Sequence, residues 1–325
     1  MTKTIKFSRC NSFFIYPKRP FNFQGTFFKP SHFPSKLVVY DKGKLIQGIR
    51  INSELFGLVI TNAGTKRTPR IRIKVYSSNG ASTEVQNKIR DELTVRYNLD
   101  ADISDFGKHF KSDEIFAESL KKWEGMRSST AYSLYGFLMV ATVLQNATVG
   151  RSIKMMDSLL QKYGVKLVFQ GYEVFEIWKP EDIDKVTEEE LRSLRIGYRA
   201  KIIKRISHVF ASGEINEEDL RETKDKEIVA KKLLSLYGVG PQSVSYILFE
   251  VFHFYDALDH LSPWEGKILS MLLFGSKTVS VERIIAFAKK RWGQWSMLAV
   301  HYLFENLFWK REKERISWLE EEIRK

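Results

Sequence analysis

The stretch Leu236-Tyr237-Gly238-Val239-Gly240-Pro241-Gln242-Ser243 constrains this chain more than any other. An apolar, lysine-containing run from Glu227 to Ser235 precedes it and reads as a helix. Ser243 to Phe252 reads as a second helix, with Val244, Ile247, Leu248 and Val251 on one face. Two glycines one residue apart permit a turn that side chains obstruct. Pro241 suits a first helical position, where a missing N–H costs nothing. The free N–H groups at such a helix start point outward and can hold a phosphate. The pattern is a helix-hairpin-helix over 227–252, with Gly238, Gly240, Gln242 and Ser243 at its tip. Its physical use is a sequence-independent grip on a nucleic-acid backbone. Gly-x-Gly alone also suits an ordinary helix-helix turn, so the remaining chain has to decide between the two.

The charge balance points toward a polyanion: 52 Lys+Arg against 39 Asp+Glu leave a net +13 on 325 residues. A merely basic protein shows the same totals. Cys10 is the single cysteine, which excludes internal disulfides and an all-cysteine iron–sulfur cluster and fits a reducing compartment. No run has the apolar length of a membrane span, and no apolar signal core follows Lys3 and Lys6. The expectation is a cytoplasmic protein, nucleoid-associated or nuclear according to the cell, with no membrane partner. The histidines are scattered and CxxC is absent, so no metal site is expected. No nucleotide-binding glycine loop is present either.

Up to about Ser78 the texture is strand and loop. Segments 36–40, 44–51, 55–61 and 70–76 are short, β-branched or alternating, and are separated by Gly, Asn and Asp. Arg70-Ile71-Arg72-Ile73-Lys74-Val75 alternates strictly, as a half-buried antiparallel strand does. A helix is expected over 82–97 and a polar connection over 99–110. From Ser112 onward the pattern is almost wholly helical, with segments near 113–123, 130–144, 148–163, 187–194, 198–211, 226–235, 241–252, 264–273, 279–291 and 295–318. Trp309 to Lys325 is charge-rich and reads as a solvated helical tail. The fold class is therefore α+β: a small antiparallel domain over 1–111 and a larger, two-lobed helical domain over 112–325. A cleft between helical lobes is the natural place for a site.

Five stretches together resemble the helix-hairpin-helix DNA glycosylase superfamily, in the branch of the alkyladenine and 8-oxoguanine glycosylases. They are Glu124-Gly-Met-Arg127, Leu144-Gln-Asn-Ala-Thr-Val-Gly-Arg151, Ile196-Gly-Tyr-Arg-Ala-Lys201, the hairpin, and Trp295 to Phe304. The resemblance covers nearly the whole chain. It implies an enzyme of base excision repair that binds damaged duplex DNA, rotates a base into a pocket and cuts its N-glycosidic bond. A monomer is expected. No cofactor is implied, save a monovalent cation held by backbone carbonyls of the hairpin.

The resemblance also implies roles. Asn146 plugs the gap left by the everted base, and Arg151 reads the widowed partner. Tyr198 and Arg199 sit where the 8-oxoguanine branch places a wedging tyrosine and its neighbouring arginine, and Lys201 lies on the same DNA-facing stretch. Tyr246, Trp264 and Phe304, with Gln242, form the base pocket, whose rings suit a flat base and a cationic purine in particular. Each residue also has an ordinary use. Asn146 can cap the helix near Thr148, Tyr198 and the other rings can be core, and Arg199 and Lys201 can be a solvated face.

Two departures sharpen the expectation. Bifunctional members carry a nucleophilic lysine where this chain has Gln242, and an amide forms no Schiff base. The glutamine that helps recognise 8-oxoguanine falls at Val300. Both favour a monofunctional hydrolase acting on an alkylated purine such as 3-methyladenine. The family's catalytic aspartate falls in register on Ser262, itself the start of a capping box, Ser262-Pro263-Trp264-Glu265. Asp259 is the nearest upstream carboxylate and the first choice for the catalytic acid, with Glu265 and Asp256 behind it. Removal of 8-oxoguanine and non-catalytic damage binding remain the open alternatives.

Overall fold

A computed structural model describes residues 2–323. The amino-terminal part carries β1 (Lys3–Lys6), β2 (Arg9–Ile15), α1 (Phe23–Phe27), β3 (Val38–Asp41), β4 (Lys44–Ile51), β5 (Glu54–Asn62), β6 (Ile71–Ser77) and α2 (Thr83–Arg96). Strands β2 to β6 form one antiparallel sheet in the order β2-β6-β5-β4-β3. The four expected strands are all present, and β2 is added beside β6. In β6 the alternation does what its period requires: Ile71, Ile73 and Val75 are buried and Arg72 faces out. One face of the sheet packs on Phe21, Phe23 and Phe27 and on Ile89, Leu93 and Tyr97 from α2 and its end.

The part after Ser112 is not wholly helical. β7 (Val165–Phe169) and β8 (Tyr172–Glu176) form a hairpin turned by Gln170 and Gly171, both with positive φ. β7 pairs with β1 in parallel, so the two parts of the chain share a small sheet that is not purely antiparallel. Leu167, Phe169 and Val174 pack on Ile46, Val59 and Tyr76. Five-residue strands are too short to display their period against a helical background.

The remaining elements are α3 (Ser104–Phe110), α4 (Ala117–Trp123), α5 (Leu134–Leu144), α6 (Val149–Tyr163), α7 (Pro180–Asp184), α8 (Glu188–Ser193), α9 (Arg199–Ala211), α10 (Glu217–Thr223), α11 (Lys226–Leu234), α12 (Pro241–Glu250), α13 (Pro263–Phe274), α14 (Val281–Trp292), α15 (Ser296–Arg311) and α16 (Ser317–Glu322). The supposed polar connection before residue 110 contains α3, because Phe106 is buried among Phe116, Trp295 and Tyr302. The supposed solvated tail is also corrected. Trp309 and Leu319 are buried, and Arg311 Nε donates to Glu320 Oε1 at 2.6 Å, turning α16 back on the body. The tail's last two positions, 324–325, lie outside the described residues.

Helix α15 is buried all round from Ser296 to Trp309 and is the axis of the helical part. Arg127 clasps the two parts together. Fully buried, it donates to the carbonyls of Lys18, Pro20 and Gly125. Gly125 is obligatory there, with φ +90° and the backbone of Pro20 and Phe21 at 2.7 Å from where a Cβ would stand. The Glu124–Arg127 stretch thus holds the site in place without facing it.

Candidate functional site

The hairpin folds as its pattern requires. Val229 and Leu233 of α11 and Val244, Ile247 and Leu248 of α12 are buried, with Leu236 and Val239 plugging the turn between them. The two glycines do different things. Gly238 has φ +81°, and a Cβ there would stand 2.7 Å from Ile202, so the turn itself needs glycine. Gly240 has an ordinary extended backbone, φ −102°, and a Cβ there would meet nothing within 4 Å. Its bareness matters only to something approaching from outside. No side chain caps α12, so the N–H groups of Gln242 and Ser243 at its first turn stay open to an anion. Tyr237, 44% exposed, projects beside this turn, with Arg205 over its ring at 4.2 Å and Lys201 at 5.4 Å. The glycines therefore sit on a basic surface.

The Asn146 loop is bonded to the same turn. Gln145 Nε2 donates to the carbonyl of Gly238 at 2.8 Å. Asn146 has φ +47°, a left-handed conformation that asparagine tolerates, and is exposed. Its amide reaches the Tyr198 hydroxyl at 3.4 Å. Tyr198 is 45% exposed and is therefore no core aromatic. Thr148, not Asn146, caps α6 by accepting from the Arg151 N–H at 3.3 Å, and Arg151 is exposed. Leu144 and Val149 are exposed nearby in the same loop. Asn146, Tyr198, Tyr237, Gly238 and Gly240 thus share one surface.

Arg199 does not join it. The guanidinium is buried, donating from Nε to the Thr142 carbonyl at 3.1 Å and from Nη2 to the Gln145 carbonyl. It satisfies the open carbonyl end of α5 and so sets the Asn146 loop. The expectation of a DNA-facing Arg199 is corrected: the cations that remain outward are Arg151, Lys201 and Arg205.

The carboxylates separate cleanly. Asp259, the first choice from the sequence, is exposed and bound to Lys289 Nζ at 2.6 Å. Asp256 is bound to Lys226 Nζ at 2.7 Å. Neither meets Gln242. Glu265 does: its Oε2 accepts from Gln242 Nε2 at 3.2 Å and from the Ser262 N–H at 2.8 Å. The Ser262 hydroxyl accepts from the Glu265 N–H at 3.1 Å, completing the capping box. Reaching back from the third helical position, the longer glutamate side chain delivers its carboxyl to the N-cap, where an aspartate at 262 would have held its own. Glu265 is 3% exposed, and burial pushes its pKa up to about 7 against the bonds from Ser262 and Gln242. A carboxyl in that condition exchanges a proton near neutrality and stabilises developing positive charge when ionised.

Tyr246, one turn beyond Gln242, is half-buried, as is Trp264. Trp264 meets Phe304 and Phe308 with ring centroids at 6.3 Å. Phe304 is buried on α15, and Val300 lies one turn before it, also buried. Trp264 and Phe304, two of the expected pocket rings, thus meet at the first turn of α13, where Glu265 also lies. Sequence reasoning missed Tyr237, Gln145 and Arg205. Tyr237 lay inside the hairpin motif and carried a legible signal: a large ring at a turn tip has no core to enter.

No family model matches the chain. It is 21% identical to a DNA-3-methyladenine glycosylase of Bacillus subtilis over 213 residues, 65% of this chain and 70% of that one. It is 23% identical to a probable N-glycosylase/DNA lyase of Methanothermobacter thermautotrophicus over 242 residues, 68% of this chain and 75% of that one. Among solved structures, a 3-methyladenine DNA glycosylase from Archaeoglobus fulgidus superposes with a TM-score of 0.74 at 18% identity, covering 94% of this chain and 100% of that one. An 8-oxoguanine glycosylase/lyase of Clostridium acetobutylicum, bound to duplex DNA, gives 0.68 at 19%, covering 95% and 99%. The relatives and structural neighbours of this chain are thus DNA glycosylases of the helix-hairpin-helix superfamily, of both 3-methyladenine and 8-oxoguanine types, and it has their fold.

Proposed function

We propose that the chain is a DNA glycosylase that everts a damaged purine, of the alkylated class, and hydrolyses its N-glycosidic bond with water as the nucleophile. The observation that carries this is the contact between Gln242 and Glu265, a buried carboxylate beside an amide at the end of the hairpin. As the base departs, the sugar gains positive charge, which ionised Glu265 offsets at short range in a desolvated site. The same carboxylate takes a proton from the attacking water. Gln242 donates to Glu265 and fixes its direction. With an amide there, no imine forms with the opened sugar, so the strand stays intact.

The rest of the surface supplies the grip. The open N–H groups of α12, Gly240 and the outward cations hold phosphates, while Asn146 and Tyr198 enter the stack. Relatives of both lesion types leave 8-oxoguanine as the second reading. The Asn146–Tyr198 pairing favours it, and Gln242 and Val300 oppose it, since neither offers what a lyase or an 8-oxoguanine-reading amide offers.

The test is a panel of duplexes carrying 3-methyladenine, 7-methylguanine, hypoxanthine or 8-oxoguanine, analysed with and without alkali. Base release that yields strand breaks only after alkali, and that Glu265→Gln abolishes while Asp259→Asn does not, is expected. Release of no base by the unaltered chain overturns the reading, and breaks without alkali overturn the assignment to water.

A further inference from the structure

A second group of buried polar side chains lies where α15 meets the far end of α12. Helix α15 turns one stripe toward the start of α13: His301, Phe304, Glu305 and Phe308, spaced i, i+3, i+4 and i+7. Phe304 and Phe308 both meet Trp264 at 6.3 Å, which fixes the direction of the stripe. Helix α12 sends its own stripe, Gln242, Tyr246 and Glu250, the same way, and the ring of Phe249 meets that of His301 at 5.1 Å. The two stripes converge, with Glu250 and His301 at the inner end.

Glu250 is fully engaged. Lys29 Nζ and His32 Nε2 each stand 3.5 Å from its carboxylate, and the Ser129 N–H donates to it at 3.1 Å. Burial opposes ionisation, but Lys29 and the hydrogen-bonding neighbours hold its carboxyl well below the usual range. His301 turns Nδ1 toward the same carboxylate at 3.8 Å, which favours the proton on Nδ1 and leaves a lone pair on Nε2. Burial and Lys29 keep this imidazole neutral. Its Nε2 is buried and has no hydrogen-bond partner.

Glu305, one turn further along α15, repeats the situation. Its Oε1 accepts from the Ser31 hydroxyl, while Oε2 is buried without a partner. Burial raises its pKa, which shifts the carboxyl toward the neutral acid that can donate through Oε2. Unpaired buried polar atoms are costly and uncommon, and two on adjacent turns of one stripe call for a common partner. His32, 41% exposed at its side chain, stands at the outer edge of this group.

We propose that His301 Nε2 and Glu305 Oε2 are the reading edge for the everted base, the one accepting and the other donating a hydrogen bond. Their complement is a purine with an exocyclic amino group next to an unsubstituted ring nitrogen, the arrangement of an adenine-type lesion. The rings of Tyr246, Trp264 and Phe304 hold the faces of the base and this pair holds its rim, while Glu250 acts only by orienting His301. The inference rests on the glycosylase reading above and narrows its substrate class.

Equilibrium dialysis of the full chain against free 3-methyladenine and free 3-methylpurine, which lacks the amino group, tests it without requiring catalysis. The chain is expected to hold 3-methyladenine about tenfold tighter, the worth of one well-placed hydrogen bond. His301→Phe, which removes the acceptor for the amino group, should abolish that preference. Glu305→Leu should weaken binding of both bases alike, since both carry the ring nitrogen, and Glu305→Gln, which keeps a donor, an acceptor and the Ser31 contact, should bind both as the unaltered chain does. Thermal melts confirm folding, and His301→Phe carries the test if Glu305→Leu does not fold. Equal affinity of the unaltered chain for the two bases, binding of neither, a preference that survives His301→Phe, or unchanged affinity of a folded Glu305→Leu for both bases overturns the proposal. Release from damaged duplexes is scored separately. Preference without release keeps this edge and removes the glycosylase reading, and release without preference does the reverse.

Discussion

Replacing Glu265 by glutamine separates stability from activity in a way that only a buried catalytic carboxyl explains. Burial drives this carboxyl from 4.5 to about 7. Between those pH values the native chain keeps a proton that the unfolded chain has released, so the stability contributed by residue 265 falls as pH rises. The span amounts to about 3 kcal/mol at about 1.36 kcal/mol per pH unit. That cost is absent below pH 4.5 and fully present above about 7. Glutamine carries no such cost, and it can still accept from the Ser262 N–H while Gln242 turns its own amide to match. Urea unfolding of both proteins at pH 4.5, 6 and 8 reads the difference. Relative to the unaltered protein, Glu265→Gln should gain about 3 kcal/mol between the lowest and highest pH. Base release should vanish in the variant, and in the unaltered protein it should rise with pH and level off above about 7. Parallel stability curves for the two proteins would refute the reasoning, since the carboxyl would then be neither desolvated nor poised.

Three further outcomes follow from geometry. Gly238→Ala should cost about 2 kcal/mol in denaturant unfolding, because it combines a left-handed backbone with a clash at Ile202; Gly240→Ala should fold normally and lose duplex affinity, and the opposite pattern would reverse the roles given to the two glycines. Arg199→Ala should lower stability by about 3 kcal/mol by removing two buried charge-assisted hydrogen bonds to helix-end carbonyls, whereas Lys201→Ala and Arg205→Ala should leave stability alone and each reduce the salt slope of duplex binding by about one. Asn146→Gly, which accepts the same backbone, should leave the thermal midpoint unchanged and cut base eversion about tenfold, read by 2-aminopurine fluorescence beside a lesion; an unchanged signal would remove Asn146 from the stack.

Local chemistry was legible wherever a residue's neighbours in sequence are its neighbours in space. The hairpin is such a case. Its apolar spacing, its turn and Pro241 at the helix start all lie within one stretch, and the structure reproduces them. The capping box at Ser262–Glu265 is another. The same reasoning failed at β7 and β8, whose partners are β1 and the face of a distant sheet. It failed at Arg199 too, because the carbonyls it satisfies belong to another helix more than fifty positions away. Asp259 was preferred to Glu265 by distance along the chain, and sequence distance carries no information about which carboxyl a helix start turns inward.

The sequence by itself determined that two helices meet at a glycine turn able to hold a phosphate, that cations predominate, and that residue 242 is an amide with no nucleophilic amine. These follow from residue type, spacing and sums of charge. Tertiary structure alone decided which carboxyl stands beside that amide, that Arg199 serves a helix end, and that His301 and Glu305 are left with buried, unpaired atoms. Each of those depends on burial and on groups brought together from separate elements. Desolvation, the property that raises the Glu265 pKa and makes an unpaired atom costly, exists only once the chain has closed around it.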